Sequence, residues 1–377
     1  MAATIAAVMR ALLDGRPLAG ATGRRGVGRY VRGLVEGLAA LGEPDLEISL
    51  LVDAAATAVA SSPSAPDGVA VRAVRAMRGP RSLWGVVLGP RWLRGADVWH
   101  ATFLAPPRTP RALPWVATIH DLIPLRHPSS FTPAQRLVFR WSLARSARAT
   151  RVVCVSRFTA DLVARTFGVD AARLRVAPPP IDVASFAAPA RRGLEGIDAP
   201  YLLHLGGFDP LKGVDDLLLP AFAELAARRP ALRLALTGPD GAAKERARRA
   251  AAALGLAGRV AFVGGLDDEA HRAAVAGAAA VVVSSREEGF GMPVAEALAA
   301  GVPVAVGPAA ASREAAGTCG ALAADGSPAA LAAAIDDALR AGGADSPDGD
   351  ARRLAARRFD QRAVARTILA IYREAAS

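Results

Sequence analysis

The sequence predicts an α/β protein made of two doubly wound halves, and three observations carry that expectation. Short runs that are apolar throughout alternate with longer stretches of helical periodicity. Such strands belong to parallel sheets covered on both faces by crossover helices. The length, 377 residues, suggests two domains, and a hydrophobic content of 52% can fill two cores. Between the halves lies "VAPPPIDVASFAAPARRGLEGIDAP" (176–200), rich in proline and without helical periodicity, which reads as a linker.

The individual elements follow from pattern. In the first half "RALLDG", "LEISLLVD", "DVWHAT", "PWVATIHDL" and "TRVVCVS" read as strands, and "GRYVRGLVEGLAAL" and "PAQRLVFRWSLARSA" as helices. In the second half "PYLLHLGGF", "LRLALTG", "RVAFVGG", "AAVVVSS" and "VPVAVGP" read as strands, with helices such as "VDDLLLPAFAELAARRP" between them. A polar break, "RAGGADSPDGDAR" (340–352), precedes a last amphipathic helix with Val364, Ile368, Ile371 and Tyr372 near helical spacing. One face of that helix must be buried. No internal repeat is present.

The opening "MAATIAAVMRALLDGRP" has neither a basic n-region nor a clean cleavage site, so no signal peptide is expected. Folding should begin near Met9, with residues 1–8 an extension. The longest apolar run, Ala273 to Val283, is too short to span a bilayer. Cys154 and Cys319 read as buried thiols of a reducing compartment, with neither disulfide nor zinc spacing.

Charge is unevenly placed. Residues 1–190 hold 24 arginines, no lysine and 12 acidic residues, a net +12; residues 191–377 hold 22 basic and 23 acidic residues, a net −1. The basic half fits an anionic partner: a membrane surface, a phosphorylated acceptor or nucleic acid. It equally fits a genome that uses arginine freely as a solubilising residue. Nucleic acid is the weakest of these, because aromatic and basic residues do not interleave.

The chemistry concentrates after strands, where open α/β sheets bind ligands. The richest stretch is "SSREEGFGMPVAEALAAGVPV" (284–304), a strand end, a turn and an apolar helix. Pro293 suits the first helical position and Gly301 the C-terminal cap. Backbone N–H groups of Phe290, Gly291 and Met292 would point at an anion, typically a diphosphate. Glu288 and Glu296 could each hold vicinal hydroxyls of one sugar ring. Taken singly, they could instead be a dipole-favoured turn residue and a solvated helix residue. Lys212, in "PLKG", is one of only two lysines beside Lys244, and a compact ammonium can neutralise a diphosphate leaving group. His120 follows "PWVATI" and could sit at a cleft floor, cap a helix or be a satisfied core residue. His100 ends another strand with a less defined role, and His204 reads as core.

"EEGFGMPVAEALAAGVPVAV" resembles the E-x7-E signature of family-4 retaining glycosyltransferases. "HLGGFDPLKGVDDLL", "TGRRGVGRYVRGL", "DVWHATFLAPP", "TIHDLIPLRHP" and "CVSRFTADLV" resemble other segments of that family, in its branch of bacterial mannosyl- and rhamnosyltransferases of surface polysaccharides. The resemblance covers nearly the whole chain from Met9. It implies a GT-B fold: two Rossmann-like domains facing across a cleft, at 9–180 and 200–355, with a C-terminal helix at 360–376 crossing back to the first. It also implies site roles. Glu288 would bind the donor sugar and Glu296 the ribose, while Gly289, Phe290, Gly291 and Met292 line phosphate and sugar. Lys212, with Gly206 and Gly207 before it, would bind the diphosphate, and His120 would lie near the reacting centre. Many members carry arginine where this chain has Gly207, which reduces the positive charge there. Gly26, Gly28 and Arg29 would form a loop for phosphate or acceptor, with Arg24 and Arg25 facing an anionic acceptor.

The resemblance thus implies a cytoplasmic hexosyltransferase, expected to be metal-independent; peripheral contact with the inner face of the membrane is one of the readings its basic half allows. GDP-mannose is its favoured donor, and the acceptor is a glycan, a lipid-linked sugar or a secondary metabolite. The nucleotide sugar is a substrate, so no cofactor is implied. The alternative is a catalytically silent nucleotide-sugar-binding subunit. An NAD-binding unit fits poorly, because "GRRGVG" is not G-x-G-x-x-G. "DGD" (348–350) has a metal-binding D-x-D spacing, but it lies in the polar break and reads as loop.

Overall fold

A computed structural model describes residues 8–18, 26–53, 68–74, 93–103, 105, 112–189, 193–197 and 200–377. The chain divides into two compact units, residues 1–180 with 361–377, and residues 181–360. Arg24 and Arg25 lie outside the described residues.

Among the described residues the first unit holds seven strands: β1 (Met9–Asp14), β2 (Leu46–Asp53), β3 (Val69–Val74), β4 (Val98–Ala101), β5 (Trp115–Ile119), β6 (Arg151–Cys154) and β7 (Leu174–Val176). Their order is β3-β2-β1-β4-β5-β6-β7, with every pair parallel. That is a doubly wound sheet whose winding reverses between β1 and β4. Its core contains Leu12, Leu51, Trp99, Ile119 and Val152. Helix α1 (Gly26–Leu41) follows β1, and α2 (Pro133–Ser146) follows β5. Thr132 and Gln135 form a capping box on α2.

The second unit has β8 (Tyr201–His204), β9 (Arg233–Thr237), β10 (Val260–Val263), β11 (Ala280–Val283), β12 (Val304–Val306) and β13 (Ala321–Leu322), ordered β10-β9-β8-β11-β12-β13 and all parallel. Its winding reverses between β8 and β11. Leu202, Leu217, Phe222, Leu234, Val282 and Ile335 lie in its core. Three helices matter below: α3 (Asp268–Gly277), α4 (Met292–Ala300) and α5 (Pro347–Ala356).

The last helix, α6 (Gln361–Ala376), returns to the first unit and buries Val364, Ile368, Leu369, Ile371 and Tyr372. It lies close along α1: a Cβ at Gly37 would collide with the Gln361 carbonyl. The predicted crossing back is therefore observed.

Several local readings need correction. The stretch at 22–30 is not a glycine loop to its end: Gly26, Gly28 and Arg29 form the first turn of α1, and Gly28 is buried there. The linker contains a short helix, Val183–Ala187, capped by Asp182. The polar break ends in α5, so Asp348 and Asp350 are helical. Ser346 caps Gly349, Pro347 takes the first turn, and both aspartates face the positive end of the helix dipole. The local signature Ser-Pro-Asp outweighs the loop-like composition. Among the described residues, no helix is long and apolar enough to cross a membrane.

Candidate active site

The expected donor residues gather where the second sheet reverses its winding. β8 ends at His204, and Gly206 and Gly207 carry the chain out of the sheet. Pro210–Lys212 makes one 3-10 turn, capped by the Asp209 carboxylate accepting from Leu211 N at 3.0 Å. β11 ends at Val283, and Ser284 to Gly291 form the adjoining loop. Three contacts sew the two loops together. Ser284 Oγ donates to Lys212 O at 2.7 Å, Arg286 N donates to Leu211 O at 2.8 Å, and Gly213 packs on the Ser284 carbonyl. Gly213 has φ +64°, and a Cβ there would fall 2.6 Å from Ser284 O, so glycine is required on both counts.

This stitching brings Lys212 and Glu288 together. Lys212 Nζ lies 2.6 Å from Glu288 Oε1, and Ser285 Oγ donates to the same oxygen at 2.7 Å. Both side chains are only part-buried, 26% and 18% exposed, so a ligand can still reach them. The buried His204 ring lies behind the pair. Its Nδ1 donates to Val282 O, and Lys212 and Glu288 both act on its charge. His204 is core, as expected, but it is core directly beneath the site.

The turn before α4 is fixed from both sides. Phe290 is buried and meets Phe359 edge-to-face at 5.3 Å. Gly291 caps the helix at φ +109°, where a Cβ would fall 2.7 Å from Ser312 Oγ. Met292 is the first helical residue and Pro293 the second, one place later than predicted; Gly301 closes the helix in the left-handed region as expected. The N-terminus of α4 thus begins directly after the same loop that carries Glu288.

Glu296 is not a solvated helix residue. It is fully buried, and its Oε2 lies 2.8 Å from His271 Nε2 on α3. The His271 ring in turn stands edge-on to Phe186 at 5.9 Å. A buried carboxylate needs such a partner. His271 escaped sequence reasoning because nothing in spacing links two helices across a strand.

In the first unit His120 leaves the end of β5. Its Nε2 donates to Thr102 O at 2.8 Å, which fixes the tautomer, and its ring stands edge-on to Tyr30 at 4.8 Å. Asp121 caps the following turn through Ile123 N. Tyr30 is held by a buried chain of hydrogen bonds. Its hydroxyl lies 2.9 Å from Thr118 Oγ1, Thr118 lies 2.8 Å from His100 Nε2, and His100 Nδ1 lies 2.7 Å from the Tyr372 hydroxyl. The role left undefined for His100 is therefore structural: it joins α6 to the strand end beneath His120. Arg29 lies on the first turn of α1, next to Tyr30 in sequence.

Burial lowers the pKa of His100 to about 3 and those of His120 and His204 to about 4. All three are neutral in the fold, whereas an unfolded histidine titrates near ~6.5. Stability from these rings is fully present above about pH 6.5 and is lost as pH falls from there toward about 4, because only the unfolded chain takes up the protons. The loss is up to ~1.4 kcal/mol per pH unit for each ring. Urea midpoints at pH 7.5 and 5.0 should differ, with the lower value at pH 5.0; equal midpoints would contradict neutral burial.

Comparison with known proteins agrees with this arrangement. The model of the Glycosyltransferase Family 4 domain matches residues 24–185, and that of Glycosyl transferases group 1 matches residues 191–353. A D-inositol 3-phosphate glycosyltransferase of Frankia alni is 31% identical over 291 residues, covering 70% of this chain and 69% of that protein. The namesake from Actinosynnema mirum is 32% identical over 242 residues, covering 59% of this chain and 55% of that protein. The chain spans about half the length of the curated relatives it matches first. Among solved structures, a glycosyltransferase from Rickettsia africae superimposes with a TM-score of 0.69 at 15% identity, covering 98% of each chain. The HepE protein of Anabaena in complex with UDP gives 0.68 at 19% identity, covering 97% of this chain and 100% of that one. The two parallel-sheet units and these likenesses show a GT-B architecture. The chain belongs to the glycosyltransferases that join a family-4 domain to a group-1 domain.

Proposed function

We propose that this chain is a retaining, metal-independent glycosyltransferase that moves a hexose from a nucleoside-diphosphate sugar to a sugar-containing or phosphorylated acceptor. The observation that carries the reading is the Lys212–Glu288 pair at the switch point of the second sheet, beside the N-terminus of α4. When donor binds, Lys212 turns to the diphosphate, helped by the backbone of Gly289 to Met292, and Glu288 turns to the sugar hydroxyls. Glu296, oriented by His271, takes the ribose. His120 of the first unit, in the neutral form, is the remaining candidate catalytic residue. With no enzymic nucleophile in view, attack proceeds from the face of the departing phosphate, which Lys212 stabilises.

The donor is a nucleoside-diphosphate hexose. Resemblance favours GDP-mannose, while the Anabaena protein is described with UDP. The relatives' name, an inositol phosphate glycosyltransferase, supports an anionic acceptor, which suits the net +12 of residues 1–190. We place the protein in the cytoplasm, in contact with the membrane surface, with no cofactor and no nucleic-acid partner.

A thermal-shift screen of GDP-, UDP-, dTDP- and ADP-sugars identifies the donor. Calorimetry of Lys212→Met should then show a larger loss for the nucleoside diphosphate than for the monophosphate, about tenfold or more, since a charged contact is worth about 1.5–3 kcal/mol. Equal losses would remove Lys212 from the β-phosphate. Activity should survive EDTA. A strict need for Mg²⁺ or Mn²⁺ would overturn the metal-independent reading.

A further inference from the structure

We propose that His271 and Phe186 clamp Glu296 so that the donor site selects ribonucleoside over 2′-deoxyribonucleoside diphosphates, which rests on the reading of Glu296 as the ribose carboxylate. The first observation is how that carboxylate is held. Glu296 is wholly buried on α4, and its Oε2 lies 2.8 Å from His271 Nε2. An ionised carboxylate can only accept, so Nε2 carries the proton and one tautomer is fixed. The imidazole is 18% exposed and the carboxylate behind it 1%. A sugar edge arriving from solvent beside His271 therefore meets a carboxylate already held on one oxygen.

The second observation is that the clamp is itself braced. His271 belongs to the capped first turns of α3: the Asp267 side chain accepts from Ala270 N at 2.8 Å, and His271 N donates to Asp267 O at 2.8 Å. Phe186 is buried and stands edge-on to the imidazole at 5.9 Å. It comes from the linker helix Val183–Ala187, whose entry is tied down in turn. Asp182 accepts from Ser185 N at 3.1 Å, and Ile181 N donates to Phe359 O at 2.8 Å. Phe359 is the ring that meets Phe290 in the turn before α4. The linker segment thus reaches the donor residues twice, at Glu296 through Phe186 and His271, and at Phe290 through Phe359.

Burial alone asks only that Glu296 have a partner. A braced partner adds selectivity. A loose carboxylate turns to suit one hydroxyl or two. A clamped one is set for the vicinal pair of a ribose, and a missing 2′-hydroxyl leaves a buried acceptor unmet in the complex. His271 and Phe186 are positioning residues in this scheme, acting on the nucleotide through Glu296.

The test is calorimetry of the full chain with UDP, GDP and ADP, each beside its 2′-deoxy form. For the base that fits, the native chain should bind the ribonucleotide about tenfold or more tighter than the 2′-deoxy form. His271→Ala should weaken the ribonucleotide about tenfold and leave the 2′-deoxy form almost unchanged. His271→Gln, whose amide still donates to Oε2, should restore most of the difference. Phe186→Ala should reduce it about threefold, the share of one aromatic pair. The kept 2′-deoxy affinity shows in each variant that the site is folded. Equal losses for both forms in His271→Ala would make His271 a structural partner of a buried charge and overturn the proposal. Equal binding of both forms by the native chain would do the same. Glu296→Ala separates this proposal from the reading beneath it. If Glu296→Ala removes the difference and His271→Ala does not, only the clamp fails. If Glu296→Ala keeps the difference, Glu296 is not the ribose carboxylate and both fail. No binding of any ribonucleotide would sink the donor reading itself.

Discussion

Glu288→Ala is expected to lower turnover at saturating donor by roughly 10²–10³-fold, the usual effect of losing one preorganised polar contact to a transition state, while nucleotide affinity changes little. The geometry explains why the effect should be concentrated in turnover. Glu288 Oε1 is held by Lys212 Nζ and Ser285 Oγ, so the carboxylate waits in the loop and has only to turn from Lys212 to the sugar when the donor arrives. Its removal takes away a group for the sugar and also releases Lys212 from a fixed position. Lys212→Met removes the same pair from the other side. The two losses should therefore be strongly non-additive, and the double variant should be little worse than the poorer single one. Glu296→Ala should behave differently. On the proposed reading its partner is the ribose, so nucleotide affinity should fall first and turnover follow less. Steady-state kinetics of the four variants would decide the matter. Wild-type turnover in Glu288→Ala at saturating donor would remove Glu288 from the sugar.

What the sequence displays is uneven, for physical reasons. The central strands β1, β5, β8, β9 and β11 stand out because both faces are covered and most of their residues are apolar. β3, β7 and β13 do not. β3 and β13 are edge strands, β7 is three residues long and β13 two, and an edge needs little apolar sequence. Lys212 and Glu288 were each visible as chemistry, but their meeting depends on two loops sewn through Ser284 and Arg286, which pattern does not encode. Asp348 and Asp350 show the opposite error. Their capping signature was present in the letters and was outweighed by a glycine-rich setting. His271 and Thr118 carried no signal at all, because a buried polar partner is defined by what lies across from it.

Deleting residues 361–377 should remove the fold of the first unit as well as activity, although it touches no donor contact. The amphipathic pattern of this helix requires a covered face, and α6 covers it on the first unit with Val364, Ile368, Leu369, Ile371 and Tyr372. Burying each large side chain contributes roughly 1.5–3 kcal/mol, so their combined loss approaches the ~5–15 kcal/mol that holds a whole domain. Arg373 with Asp45, Arg151 with Glu374 and Arg362 with the Ala40 carbonyl fix the register of the helix along its exposed sides. Tyr372→Phe isolates the polar part of this effect. It keeps the ring and removes only the hydroxyl on His100 Nδ1. A buried imidazole left with an unmet partner costs about 1–3 kcal/mol, which should lower the thermal midpoint by several degrees. Because the same chain of hydrogen bonds runs through Thr118 to Tyr30, against which His120 packs, Tyr372→Phe should also lower kcat more than it raises KM for the donor. A deletion variant with native melting and kinetics would show that α6 does not complete the first unit. A Tyr372→Phe variant that is destabilised but keeps its kcat would show that the relay supports the fold without orienting His120.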